Sequence, residues 1–193
     1  PLWFTVLNQL GFRVQLSPRS SHHLFEQGME TIPSESVCYP AKLVHGHMEA
    51  LLKGKPDAVF YPSLPYEQAE NEQSDNHFNC PIVVSYPEVI ANNMDELRTS
   101  QVKFLHPFLP LHHEEKLAVN LYEMFHTNGW TDISRQEIRA AVRAGYLEYE
   151  RYKEDIRAKG DEVLAWLHAN HKKGIVLAGR PYHVDPEINH GIP

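Results

Sequence analysis

The apolar positions fall into short runs of two kinds. Leu2, Val6 and Leu10 stand four apart and predict a helix that stops at Gly11. Phe12 to Leu16 then alternates apolar and polar, the pattern of a strand. Ser20 or Ser21 is placed to cap a short helix reaching Gln27 and ended by Gly28. Leu43, Val44, Met48, Leu51 and Leu52 repeat at helical spacing, so a helix is expected over 41–52, closed by Gly54 and Pro56. Three apolar runs read as strands: Asp57 to Tyr61, Pro81 to Ser85, and Lys103 to Leu105. Pro87 is expected to open the helix that follows the second of them. Residues 63–80 carry no period and are rich in Glu, Gln and Asn; a loop of that length in a compact domain is usually functional or mobile.

The last third changes character. Glu114 to Phe125 is amphipathic, and Asn128-Gly129 closes it. Ser134 and Glu137 form a capping-box pattern. From there Ile138, Val142, Gly145, Tyr149, Tyr152, Ile156, Gly160, Val163 and Leu167 step by three or four. A continuous helix over 134–170 would be about 55 Å long. Gly145 and Gly160 lie on the stripe itself, which fits either a break or the close approach of a neighbouring backbone. Gly174 to Gly179 reads as a strand, and Arg180 starts a loop.

Strands alternating with helices predict an α/β fold, a three-layer sandwich with a mostly parallel sheet, plus a helical C-terminal section. The expected division is an α/β domain over 1–172 with long C-terminal helices, and over 173–193 the first strand and loop of a following, truncated α/β domain. Ligands of such sheets gather beyond the carboxyl ends of the strands, which points to the loops at 62–80, 106–113 and 180–193.

Charge and composition narrow the function. Lys plus Arg is 18 against 25 Asp plus Glu, a net charge of −7 over 193 residues. A nucleic-acid binder would show a basic excess, so no nucleic-acid partner is expected. No apolar run is long enough for a membrane span and no secretory leader is visible, so no membrane partner and a cytoplasmic location are expected. The chain opens on Pro1 and stops at Gly191-Ile192-Pro193, and reads as an excerpt of a longer protein. It holds 13 histidines but only two cysteines, Cys38 and Cys80. Two cysteines in a chain without a leader are not expected to form a structural disulfide.

Both cysteines lie in loops next to proline. Cys38, in Val37-Cys38-Tyr39-Pro40, immediately precedes a helix, whose N-terminus favours a thiolate. Cys80, in Asn79-Cys80-Pro81, ends the long polar loop. They are either two small buried thiols or two ligands of a metal or cluster. With His77 and either His45 or His47 they would make a zinc set of two Cys and two His, although no Cys-x-x-Cys clamp is present. His45 and His47 stand two apart on a helix and point to different faces, while His22, His23, His112 and His113 read as exposed loop residues. Arg180, Tyr182, His183 and Asp185 directly follow the last strand; Arg180 is suited either to hold an anion by paired hydrogen bonds or to pair with Asp185. No Gly-rich phosphate loop, nucleophile elbow or His-Glu-x-x-His is present, and the catalytic residues stay unassigned.

Three motifs taken together are specific: Val37-Cys38-Tyr39-Pro40-Ala41-Lys42-Leu43-Val44-His45-Gly46-His47, Asp75-Asn76-His77-Phe78-Asn79-Cys80-Pro81, and Ala178-Gly179-Arg180-Pro181-Tyr182-His183-Val184-Asp185-Pro186-Glu187-Ile188-Asn189-His190-Gly191. In this order they resemble the uncharacterised domain of large CoA-substrate-specific enzyme activases, the activators of 2-hydroxyacyl-CoA dehydratases, and the resemblance covers essentially the whole chain. It implies ATPase modules of the acetate-kinase/actin-like type elsewhere in the full-length protein, and a second α/β domain. It also implies kinship with the dehydratase subunits, in which three cysteines per subunit hold an iron–sulfur cluster between α/β domains. Cys38 and Cys80 match the first two by position in the motifs; the third is expected beyond residue 193.

The resemblance therefore implies a 4Fe-4S-type cluster in the full-length protein and none in this stretch alone. It implies ATP-driven electron transfer to dehydratase-type chemistry, with His77, Arg180 and His183 as groups near the cluster or substrate. The expected partners are the rest of its own chain and a 2-hydroxyacyl-CoA dehydratase-like enzyme. Two alternatives stand beside this reading: a non-catalytic module that docks an activase ATPase onto its partner, and a structural zinc-binding domain.

Overall fold

The computed structural model describes residues 1–71 and 73–192. Among the described residues seven α-helices and two strands follow in the order α1 (Leu2–Gln9), α2 (His22–Gly28), α3 (Tyr39–Lys53), β1 (Ala58–Phe60), α4 (Pro81–Asn93), α5 (Asp95–Thr99), β2 (Lys103–Leu105), α6 (Glu114–Thr127) and α7 (Arg135–Ala169). Short 3-10 turns lie at Met29–Thr31 and Pro181–Val184.

Local signals start most of the helices where the sequence places them. The Ser21 hydroxyl accepts from the Leu24 N–H and starts α2. Ser134 and Glu137 form the reciprocal capping box of α7. His113, expected as an exposed loop residue, is exposed and caps α6 through its ring, which accepts from the Lys116 N–H.

β1 and β2 pair in parallel, Ala58 with Lys103, Val59 with Phe104 and Phe60 with Leu105. Because strand side chains alternate between faces, the two strands separate two cores. Val59 packs with Ala41 and Met48 of α3 and with Tyr86, Ile90 and Met94 around α4. Leu105, with Ala58 and Phe60 against it, joins the larger core of α1, α6 and α7, centred on Val6, Leu117, Leu121, Phe125, Ile138 and Val142.

Helices thus cover both faces, but two three-residue strands are too little for the mostly parallel sheet of a three-layer sandwich. What forms is a mixed α/β unit with a small parallel sheet and a helical C-terminal section.

Three of the expected strands do not form. Phe12 to Leu16 has no regular structure; Phe12 instead stacks on Phe125 at 5.3 Å and meets the Trp130 ring edge-on at 5.6 Å. Pro81 to Ser85 is the first part of α4, which runs unbroken through Pro87. Pro81 at the first helical position lacks only an N–H that would be unpaired there. The β-branched run Ile82-Val83-Val84 misleads, because the buried positions Tyr86, Ile90 and Met94 keep helical spacing. Gly174 to Gly179 is also irregular, with Ile175 97% and Val176 91% exposed. A strand needs a neighbour to accept its backbone hydrogen bonds, and neither 12–16 nor 174–179 has one among the described residues.

α7 is unbroken at both glycines of its stripe. At Gly145 α1 lies close: a Cβ there would lie 2.6 Å from Val6 Cγ2 and 3.1 Å from the Leu2 carbonyl oxygen. Gly160 faces open space. Beyond Lys153 the helix leaves the core, and Ile156, Val163, Leu164 and Trp166 are exposed. Among the described residues no helix is long and apolar enough to cross a membrane.

Candidate functional site

The chain path brings the two cysteines to the same end of the sheet. Four residues separate the end of α3 from the start of β1, and α4 leads through the short α5 to the start of β2, which is parallel to β1. Both helices therefore run against the strands, and both start at the carboxyl end of the sheet, where α/β folds place ligands. Cys38 is the N-cap of α3 and Cys80 the N-cap of α4, each followed by proline in the first turn. Both thiols are free; Cys38 is exposed and Cys80 half-buried. Sequence reading placed Cys38 before a helix but took Cys80 for the end of a loop that leads into a strand.

A buried polar link joins the two helices below these caps. His45, seven residues after Cys38, is fully buried and its Nε2 lies 3.0 Å from the hydroxyl of Tyr86, six residues after Cys80. Its Nδ1 lies 2.7 Å from Thr31 Oγ1, which donates to the Gly28 carbonyl at 3.0 Å. Burial pushes the His45 imidazole down to about 4, so the ring is neutral at physiological pH. Burial, with nearby Cys38 adding to it, pushes the Tyr86 phenol up to about 12.

The third motif closes on the first. The Ser20 hydroxyl donates to Asp185 Oδ2 at 2.6 Å, and Tyr39, next to Cys38, donates to Glu187 Oε1 at 2.8 Å. With its proton directed to Asp185, Ser20 accepts from His47 Nε2 at 3.2 Å. Burial works against ionised Asp185. The Ser20 hydroxyl, the backbone N–H groups of Ile188 and Glu187, and His47 outweigh it and hold the carboxyl below its ordinary value. Burial lowers the His47 imidazole, with Asp185 opposing. The His47 Nδ1 is buried without a partner among the described residues. Burial first, and then the Glu187 hydrogen bond, push the Tyr39 phenol up to about 12. Residues 181–192 thus lie as a strap anchored beside Cys38.

Among the described residues no hydrogen bond joins the other expected site residues to either thiol, and each has partners of its own. The His77 ring is exposed and grouped with Tyr66 at 5.6 Å and His112 at 5.8 Å. The loop that carries it is folded at its base: Asn79 donates to the Leu64 carbonyl and to Glu67, and Tyr66 bridges to Phe78. Arg180 and His183 are exposed on the strap, where the Arg180 N–H donates to His183 Nδ1 at 3.0 Å. The expected alternative pairing of Arg180 with Asp185 does not form, because Asp185 is taken up by Ser20 and by backbone N–H groups.

Ser20, Tyr39, Tyr86 and Glu187 were not singled out as site residues from sequence, and Asp185 was read only as a partner for Arg180. Only Tyr86 left a usable signal, its helical spacing to Ile90 and Met94.

Two thiols at the starts of adjoining helices fit part of a cluster's thiolate set and not a whole one. Among the described residues no group of three or more His, Cys, Asp or Glu side chains stands where it could hold a metal ion. His45 and His47 are engaged in their own hydrogen bonds. The zinc set of two Cys and two His is therefore not assembled. A groove of about 980 Å³ opens at the other end of the sheet, lined by Glu49, Lys53, Lys55, Glu96, Lys103 and Trp130, none of them in the three motifs.

Fold and site together define a mixed α/β domain whose two free cysteines cap adjoining helices beside a strap formed by the third motif. Residues 1–193 match the family model described as CoA enzyme activase uncharacterised domain (DUF2229), and the chain belongs to that family. Neither a curated protein nor a solved structure matches it.

Proposed function

We propose that this domain, as part of a larger activase-type protein, supplies Cys38 and Cys80 as two thiolate ligands of a 4Fe-4S-type cluster used in ATP-driven electron transfer to 2-hydroxyacyl-CoA dehydratase-type chemistry. The observation that carries the proposal is the placement of both cysteines as N-caps of two adjoining helices at the carboxyl end of the sheet. The unpaired N–H groups of a helix N-terminus favour a negatively charged group at that position. A bound cluster would supply one-electron transfer. The domain's own residues would hold two of its irons, the strap would cover the Cys38 side, and the remaining ligands would come from outside residues 1–193. Arg180 and His183, both exposed, would meet an anionic partner or substrate, and His77 lies three residues before Cys80.

The test is to purify the full-length protein without oxygen and measure iron, acid-labile sulfide and visible absorbance. A cluster that is lost in Cys38→Ser plus Cys80→Ser is expected. No cluster in the full-length protein, or an unchanged one in the double variant, refutes the proposal.

A second reading, a module that docks an activase ATPase onto its partner, is favoured by a different observation. Ile156, Val163, Leu164 and Trp166 on the far half of α7, with Ile175 and Val176 after it, expose apolar surface. Capture of a dehydratase-like partner that survives loss of both cysteines but not Ile156→Asp plus Val163→Asp supports this reading.

A further inference from the structure

The hydrogen-bond directions around His45 follow from the partners. Thr31 has one hydroxyl proton, and it points to the Gly28 carbonyl at 3.0 Å. The 2.7 Å contact to His45 Nδ1 must then be donated by the ring. A neutral ring that carries its proton on Nδ1 presents a lone pair at Nε2, so Tyr86 donates to it across 3.0 Å. The result is one directed chain: Tyr86 hydroxyl to His45, His45 to Thr31, Thr31 to the Gly28 carbonyl. It runs from α4 through α3 to the end of α2.

The backbone grips α3 from the other side at the same level. A Cβ on Gly46 would lie 1.9 Å from the Leu24 carbonyl oxygen, and one on Gly28 would lie 2.2 Å from the Gly46 nitrogen. α2 and α3 are therefore in backbone contact and cannot slide there without a clash. Ala41 and Met48 of α3 share an apolar core with Tyr86 and Ile90 of α4, and among the described residues the Tyr86–His45 bond is the one side-chain hydrogen bond between the two cysteine-bearing helices. It sits about two turns, roughly 10 Å, from the caps.

We infer that Tyr86 and His45 are positioning residues that set the spacing of Cys38 and Cys80, so that the two thiols act as one pair. This rests on the reading that the two cysteines serve one site. Apolar packing alone is non-directional and tolerates a shift of one helix along another. A buried hydrogen bond between a fully buried imidazole and a buried phenol does not, because a shift leaves both groups unpaired.

The test uses dibromobimane on the full-length chain, purified without oxygen and treated with chelator. Each thiolate displaces one bromide and forms one carbon–sulfur bond, so the bridged product requires both cysteines within the short reach of the reagent. The Cys38–Cys80 bridge is quantified by peptide mass spectrometry. Wild type is expected to bridge, and Tyr86→Phe, which removes only the hydroxyl, to bridge about tenfold more slowly. His45→Gln should fall at least as far. Ile90→Val trims a fully buried residue of the same helix at a comparable cost in stability, and it should bridge at the wild-type rate.

Wild-type bridging in Tyr86→Phe, or an equal loss in Ile90→Val, overturns the inference while the paired-cysteine reading stands. Absence of the bridge in wild type refutes the paired-cysteine reading and this inference with it.

Discussion

Gly145 and Gly160 occupy the same stripe of α7, and alanine at each is expected to move stability in opposite directions. At Gly145 the added methyl would sit 2.6 Å from Val6 Cγ2, where about 3.5–4.0 Å is the favourable carbon–carbon separation. Val6 is fully buried, and the second neighbour, the Leu2 carbonyl at 3.1 Å, is backbone, so neither can turn away. α1 must shift by about 1 Å. Overpacking of this kind costs about 1–3 kcal/mol, and the better helix propensity of alanine returns about 1 kcal/mol. The expected net loss for Gly145→Ala is about 0–2 kcal/mol. At Gly160 the methyl meets nothing within 4 Å, so only the propensity acts, a gain of about 0.5–1 kcal/mol. Urea unfolding followed by circular dichroism measures the first change. Amide exchange over residues 150–165 measures the second, because that half of α7 makes few tertiary contacts. Stabilisation by Gly145→Ala would show that α1 does not press on α7 at this point and would refute the packing described here.

Three further outcomes follow from the strap and the core. Ser20→Ala and Tyr39→Phe each remove one anchor of residues 181–192, worth about 1 kcal/mol, so amide exchange in the strap should rise several-fold in each variant and further in the pair; unchanged exchange would show that the strap is held by other contacts. Asp185 is held below its ordinary carboxyl value of 3.8, so its anchoring is fully present above that value and is lost as pH falls through the lower folded-state value. Strap exchange, corrected for intrinsic rates, should therefore be flat from neutral pH down to about 4 and rise below it, and Asp185→Asn should abolish that acid limb. Tyr146→Phe leaves the Leu111 carbonyl without the phenol that donates to it at 2.6 Å, and urea unfolding should show a loss of about 1–3 kcal/mol.

Much of the candidate site was legible one piece at a time. The three motifs, both cysteines and the helix after Cys38 stand in the sequence, as does the family that the motifs resemble. Their meeting does not, because the contacts that join them span long stretches of chain: Ser20 with Asp185, Tyr39 with Glu187, and His45 with Tyr86. His45 illustrates the limit. Read alone it was one of several histidines available to a metal, and only its neighbours Thr31 and Tyr86 show that both ring nitrogens are already used.

By itself the sequence determined what depends on neighbours within a few residues. The serine caps of α2 and α7, the periodic faces of α3, α6 and α7, and the two runs that became β1 and β2 are of this kind. Tertiary structure decided whatever needed a distant partner. The runs at 12–16 and 174–179 have the pattern of strands but no neighbour to pair with among the described residues, so their backbone stays irregular. Pro81 to Ser85 has the composition of a strand, yet it folds as helix because Tyr86, Ile90 and Met94 then reach one core with α3 and Val59. The same cause explains the glycines on α7. Their spacing is identical in kind, and only the approach of α1 makes one a packing requirement and leaves the other open.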